Sequence, residues 1–474
     1  MEFKRKDRQV IEYGIVAVLS VLGYLILMWI FTGRGPFSHN TYNSYALQAE
    51  AWTRGHLDLG ENYSYLELAI FNGKYYVSFP PFPSYILFPL AFIFGSNTPD
   101  HLLIWIEDLV TVVYLYRLAL RFIRKPQLCA LTAIFVMLGT NATFNLLNPW
   151  VWFAAQTLCF MLAVMAIWYA CEGKGGLSLF LWACSVGCRP MQALFLPVFL
   201  IILYGKECRI ELREVAAVKK KKPVMEEEED RFDRRPEDVA AEVAEKEAKM
   251  KELSESGADS AAEEAEPVTE LKEVIIRPTL LDILKKRWKW AIPAGIVALS
   301  YMILNYARFG SITEFGHNYL PEFMEAEHGQ FDLFYLKNNF HMLLNLPSFD
   351  GEKRMEIDHF GNLNFMIASP FIIFALAMII VMLVKKQWKL AAFDGVVLVP
   401  CSAYLFVTIM PKTMGGWHFG NRYTNDILPW LYLTVALALG KAPEAGKYQI
   451  PVCIFGMCLN AVGLVVVYNG MYIV

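Results

Sequence analysis

The chain has 474 residues, of which 56% are hydrophobic, 14% aromatic and only 19% charged. A soluble domain of this size cannot hide so much apolar surface, and apolar runs of about 20 residues recur, the length that crosses ~30 Å of hydrocarbon. The net charge of −3 averages a basic rim with an acidic insert, so it carries no message of its own and no sign of a nucleic-acid partner. The composition is that of an all-α polytopic membrane protein. Its nine cysteines lie mostly in apolar runs and form no CxxC or Cys/His cluster, so they read as small buried hydrophobes.

In chain order, Lys4, Arg5, Lys6 and Arg8 place the N-terminus on the cytoplasmic side, and the first span follows at 12–31 without a cleavage pattern. Residues 32–100 then form an outer loop. The next clear span, 102–122, ends at the basic "RFIRKPQ" and so runs inward. The intervening segment 78–95, "SFPPFPSYILFPLAFIFG", must begin and end outside, so it is expected as a helix lying at the outer interface. Spans at 127–146 and 150–171 follow. The stretch 177–204, interrupted by "CRP", reads as a half-depth hairpin or two short helices with Arg189-Pro190 at the outer turn. Residues 1–204 thus make an N-terminal transmembrane module.

Residues 205–288 are densely charged, with "KKKK" before "EEEED", and read as a cytoplasmic insert that is largely disordered or loosely helical. The C-terminal module, 289–474, alternates spans at 289–307, 364–384, 390–410, 427–440 and 450–470 with outer loops at 308–362 and 411–426. The total is about eleven spans, counting the hairpin as two.

Unusual residues collect at the outer face. Helical spacing puts Asn43, Leu47, Glu50 and Arg54 on one face, where Glu50 and Arg54 can be a plain surface pair or a carboxylate held above the membrane. Asp58, Glu61 and Glu67 add carboxylates in the same loop. The second loop opens with "NYARFGSITEFGHNYLPEF", carrying His317 and Tyr319; the third is "GGWHFGNRYTNDILP", carrying Trp417, His418, Arg422 and Asp426. Arg422 and Asp426, four apart, can also form an intra-helix pair. Arg189 is costly in an apolar helix, by ~2.5–3.5 kcal/mol on insertion scales, and needs a partner. Glu107 or Asp108 in the second span, or a bound phosphate, would serve.

The order of "NSYALQAEAWTRGHLDL", "GKYYVSFPPFPSYILFPLAFIFG", "GCRPMQALFLP", "NYARFGSITEFGHNY" and "GWHFGNRYTNDILP" resembles the glycosyltransferase-C superfamily, whose members move sugars from polyprenyl-phosphate donors at the outer membrane face. Relatives include protein O-mannosyltransferases and lipid A aminoarabinose transferases. The resemblance covers most of the chain except 205–288. It implies an integral protein of a bacterial plasma membrane, a polyprenyl-phosphate sugar donor and a lipid, glycan or protein acceptor. An inverting transfer needs a carboxylate base, cations for the departing phosphate and aromatic faces for the sugar. The expected roles are Glu50 as the base with Asp58 as a second catalytic carboxylate, and Arg189, Arg422 and His418 on the donor phosphate. Trp417, His317, Tyr319, Glu67 and Asp426 are expected against sugar or acceptor. No residue set commits to a metal, although a divalent ion serves some members of the superfamily. The family's early first-loop acid is missing, because the corresponding stretch reads "SHNTYNSY". A non-catalytic scaffold of the same fold and a secondary transporter are the competing classes. The transporter predicts mid-depth charges and two similar halves, neither of which is clear here.

Overall fold

The computed structural model describes residues 2–216, 269–346, 348–349, 351–352, 355–356, 363–415, 419–468 and 472–473. It divides into two compact units, Met1–Phe199 with Lys289–Val474, and Leu200–Trp288. The helices of eight or more residues are α1 (Glu2–Thr32), α2 (Ser44–Thr53), α3 (Phe82–Phe94), α4 (Asp100–Leu120), α5 (Pro126–Leu138), α6 (Val151–Cys171), α7 (Gly175–Val186), α8 (Leu196–Glu207), α9 (Leu280–Arg287), α10 (Ala291–Phe309), α11 (Leu336–Leu343), α12 (Phe371–Val384), α13 (Trp388–Thr408), α14 (Leu428–Lys441) and α15 (Gln449–Tyr468). Proline opens α5 and sits in the first turn of α3 and α14, where its missing N–H breaks no helical bond.

Among the described residues, six stretches are long and apolar enough to cross a membrane: Asp7–Thr32, Val151–Cys171, Pro190–Glu207, Leu280–Phe309, Trp388–Thr408 and Pro443–Val467. Four shorter apolar helices, α3, α5, α7 and α12, accompany them. The chain is therefore a helical membrane protein, with fewer span-length helices than the eleven expected crossings. The shortfall has local causes. Asp100, Glu107, Asp108 and Arg117 dilute the apolar character of α4. The expected span 127–146 stops at Gly139 and resumes only as Ala142–Asn145. The expected span 364–384 is interrupted at Ser369 and Pro370. With 14 residues, α14 reaches about 21 Å. The stretch 177–204 is two short helices, α7 and α8, joined by a 3-10 turn, Pro190–Phe195.

Helices α6 and α14 are buried along most of their length, while α10 leaves Ile292, Ile296, Leu299 and Ile303 exposed as a lipid-compatible face. The 13 residues of α3 span about 20 Å, too little to cross. Its Leu87 and Ala91 pack with Tyr45, Ala46 and Ala49 of α2 and Val151 and Ala155 of α6. Its opposite side leaves Ile86, Phe92, Ile93 and Phe94 exposed. A helix that is apolar on both sides, packed on one and bare on the other, suits a membrane boundary.

Between α2 and α3 lies a hairpin that the sequence reading does not anticipate. Strands β1 (Leu68–Phe71) and β2 (Lys74–Val77) pair antiparallel around Asn72-Gly73, both with positive φ, the geometry of a tight primed turn. Ala69 and Tyr76 pack on Phe309 at the end of α10, and Arg308 donates to the carbonyl of Val77 at 3.2 Å. In the second unit, β3 (Arg209–Ala216) and β4 (Thr269–Ile276) pair antiparallel, and a capping box at Thr279 and Asp282 opens α9. The ends of the charged insert are thus ordered strand and helix. The remainder of the disorder expectation, 217–268, lies outside the described residues.

Candidate functional site

Two 3-10 turns meet at the head of the bundle. One is Pro190–Phe195, after α7; the other is Arg422–Ile427, before α14. Pro190 ends the preceding helix, and Arg189 sits just before it in extended backbone, its N–H bonded to Ser185 O at 2.9 Å. Gln192 locks the turns together. Its Nε2 donates to Asp426 O at 3.0 Å, and its Oε1 accepts from Trp430 Nε1 at 3.3 Å. Phe195 stacks on Trp430 with ring centroids 4.4 Å apart. From α6, Gln156 Nε2 donates to Arg422 O at 2.9 Å.

That frame sets the partner of Arg189. Its Nε donates to Asp426 Oδ2 at 2.9 Å, and the Tyr404 hydroxyl donates to the same oxygen. The expected partners Glu107 and Asp108 are not the ones used, and Asp426 pairs with Arg189 rather than with Arg422. The reason is reach: both turns project their charged groups toward each other, whereas Asp108 lines a separate internal cavity. The Arg189–Asp426 pair is internally neutral, which leaves the second cation exposed to other demands.

Arg422 is 3% exposed, and its Nε and Nη1 have no hydrogen-bond partner among the described residues. Its guanidinium carbon lies 5.6 Å from the ring centroids of Trp152 and Phe153 and 5.0 Å from that of Tyr423. Arg189 sits 5.0 Å from the same Tyr423 ring. Cation–π contact recovers part of the lost hydration but supplies no hydrogen-bond acceptor. Gly415, at φ 94°, makes the close approach possible: a Cβ there would lie 2.9 Å from Arg422 Nε and Nη2.

The hairpin delivers the carboxylate that faces this cation. Glu67 immediately precedes β1, its carbonyl accepts from Ser78 Oγ at 3.0 Å, and its Oε2 accepts from Trp152 Nε1 at 3.0 Å. Burial pushes its carboxyl above the ordinary range, while the Trp152 bond and the Arg422 charge pull it back. His317 closes the same corner from the second loop, with Nδ1 buried and without a hydrogen-bond partner among the described residues. Burial, together with the Arg189 and Arg422 charges, pushes its imidazole down to about 4, so it is neutral at physiological pH.

The other expected site residues fall elsewhere. Glu50 is held by Arg54 in the plain four-apart pair, and Asp58 by Lys74 at 2.9 Å and the Gly60 N–H at 3.1 Å. The Lys74 ammonium keeps the Asp58 carboxyl below its usual range. Tyr319 lies against Phe71 and Phe309, with centroids 4.6 and 5.6 Å away, and anchors the second loop. Trp417 and His418 lie outside the described residues. The structure therefore brings together Glu67, Arg189, His317, Arg422 and Asp426, and separates Glu50, Asp58 and Tyr319 from them.

Residues that sequence reasoning missed include Trp152, Gln156, Gln192 and Tyr404. A lone amide or hydroxyl in an apolar run, such as Gln156 in α6 or Tyr404 in α13, was the available signal. Asp100 was missed as well. It reaches back to the acid-free stretch "SHNTYNSY", accepting from Asn40 N at 3.2 Å and Asn43 Nδ2 at 3.3 Å. The stretch thus borrows its carboxylate from the start of α4. Among the described residues no three His, Cys, Asp or Glu side chains gather where they could hold a metal. No protein-family model matches the chain, and neither curated proteins nor solved structures give a match.

Proposed function

We propose that this chain is an integral membrane glycosyltransferase that moves a sugar from a polyprenyl-phosphate donor to an acceptor hydroxyl at the outer face. The observation that carries the reading is Arg422: a buried guanidinium with two nitrogens unpartnered, ringed by aromatic faces. An uncompensated buried cation is costly by several kcal/mol. A phosphate oxygen would accept from Nε or from Nη1, which lie on different edges of the guanidinium, and either bond would be charge-assisted.

In this reading Arg422 binds the donor phosphate, and Arg189, neutralised by Asp426, fixes the turn that carries it. Glu67 takes the base role first assigned to Glu50 and Asp58, because it shares Trp152 with Arg422 while those two are engaged in ion pairs. The acceptor oxygen bonds the anomeric carbon as the bond from that carbon to the phosphate oxygen breaks. The electron pair leaves with the polyprenyl phosphate, and the acceptor proton passes to Glu67, with inversion. Neutral His317 offers Nδ1 as a hydrogen-bonding group to sugar or phosphate. The crossings of the glycosyltransferase-C bundle belong to the same proposal: α4, α5, α7, α12 and α14 complete the six long spans to about eleven, with a bacterial plasma membrane and a cytoplasmic N-terminus.

The test is thermal unfolding of the purified chain with and without a short polyprenyl phosphate. Arg422→Met should abolish the ligand-dependent rise, and Arg422→Lys should keep a fraction of it. Losing charge-assisted bonds of ~1.5–3 kcal/mol weakens binding by roughly one to two decades. A rise that survives unchanged in Arg422→Met refutes the phosphate role. Cells lacking the chain should show a mass shift in polyprenyl-linked sugars or envelope polymers.

A further inference from the structure

Behind the arginine site, a separate cavity of about 20 Å³ is lined by Asp108 of α4, Asn145, Gln156 and Thr157, and Asn425 of the Arg422–Ile427 turn. That volume holds one particle the size of a water molecule. Apolar side chains of Met137, Leu146 and Phe160 share the lining with these polar groups. Asp108 is 1% exposed and Asn425 2%, and neither side chain has a hydrogen-bond partner among the described residues. Asn145 spends its amide nitrogen on Gln156 Oε1 at 3.2 Å and leaves its own Oδ1 unpaired.

The balance of donors and acceptors narrows what fits. Unpaired oxygens are Asp108 Oδ1 and Oδ2, Asn145 Oδ1 and Asn425 Oδ1; the unpaired donor is Asn425 Nδ2. Flipping the Asn425 amide exchanges its two atoms without changing that balance. A single water donates two hydrogens, which leaves an oxygen unmet and the carboxylate charge uncompensated. A small hard cation satisfies several oxygens at once and neutralises Asp108. One carboxylate among neutral amide oxygens suits a single charge, not a divalent ion, which gathers more carboxylates.

We infer that Asp108, Asn145 and Asn425 form a binding site for a monovalent cation of about sodium size, seated beneath the candidate active site. Its position gives it a structural reach. Asn425 adjoins Asp426, the partner of Arg189, and Gln156 lines the cavity while holding the Arg422 carbonyl. A bound cation therefore braces the turn that carries the site. The inference does not depend on sugar transfer and survives if that reading fails.

The test is thermal unfolding of the full chain in sodium, lithium, potassium or choline chloride at matched ionic strength, so that screening is constant. Binding to the folded state alone should raise the unfolding temperature with the logarithm of free sodium, and choline should give no such rise. Asp108→Asn keeps the shape and removes the charge, so the sodium-dependent shift should disappear. Asn425→Ala should reduce it. The sodium-against-choline comparison on the unaltered chain stands by itself if a variant does not fold. Equal unfolding temperatures in all four salts overturn the inference and leave a protonated Asp108 with a water molecule. A sodium shift that persists in Asp108→Asn overturns it too.

Discussion

Breaking the pair between Arg189 and Asp426 gives the sharpest test of how the site is held. The two residues sit 237 positions apart in sequence, and their contact at 2.9 Å ties the turn after α7 to the turn before α14. Asp426 is 2% exposed, whereas the Arg189 side chain is 20% exposed. Removing one member of a fully buried pair costs about 3–5 kcal/mol, while an exposed pair is worth about 0–1. The partial opening at Arg189 places Arg189→Met near the lower end of the buried range, about 3 kcal/mol. Asp426 would keep the Tyr404 hydroxyl as a charge-stabilising donor. Asp426→Asn removes the carboxylate charge and leaves Arg189 facing Tyr404 and Tyr423, so it should cost about the same. The double variant, with neither charge, should recover about 1.5–3 kcal/mol relative to the sum of the singles. The buried thiols of Cys159, Cys184 and Cys188 supply the assay, because a thiol-reactive dye labels them only as the bundle opens. Strict additivity, or a double variant worse than the sum, would refute the pairing. A rescue of Arg189→Met by Asp108→Asn in place of Asp426→Asn would restore the partner expected from sequence.

Other predictions address the rest of the site. His317 has a folded value near 4, below the ordinary imidazole range, so the unfolded chain binds the proton more readily. Stability should therefore fall as pH drops from about 6.5 to about 4, by about 3 kcal/mol at ~1.4 per pKa unit, and His317→Gln should flatten that slope in unfolding curves taken across the window. Glu67 acts in the opposite sense: its raised value favours the folded state while it is protonated, and that contribution is lost as pH rises through its folded value. Glu67→Gln should lower transfer by roughly 10²–10⁴-fold, as loss of a general base does, whereas Asp58→Asn and Glu50→Gln should leave the rate near its starting value. Gly415→Ala should displace the Arg422 guanidinium and strain a left-handed backbone, lowering both unfolding temperature and phosphate-ligand affinity; an unchanged ligand shift would show that the guanidinium is placed by other contacts.

The helical membrane class was legible because it depends on local properties. Apolar run length and the placement of Lys and Arg need no knowledge of which segments touch. The same logic marked Arg189 as needing a partner, since the cost of a buried guanidinium is set by its own surroundings. The tight turn at Asn72-Gly73 was also local, and its alternating strands could have been found by the primed-turn signal in "FNGK".

Pairing was the part the sequence could not rank. Arg189 had acids available at Glu107, Asp108 and Asp426, and nothing in their spacing said which would face it. The choice was made by Gln192, Phe195 and Trp430, neutral groups that clamp the two 3-10 turns and so aim the charges. The same holds for the carboxylate nearest Arg422. Glu50 lies on a helix at a spacing that suits Arg54, and the local pair captures it. Glu67 has no such neighbour, and the hairpin delivers it through Ser78 and Trp152. A carboxylate with a ready partner four residues away is already committed. An acid or cation whose sequence neighbours cannot pair with it is the one left to meet a distant group or a ligand. On that criterion Glu67 stands out, whereas Arg422 does not, because Asp426 four residues on was a ready partner and only the fold gives it to Arg189; the reason is physical: a buried charge must be compensated, and where the local chain supplies nothing, compensation comes from elsewhere in the fold or from what the site binds.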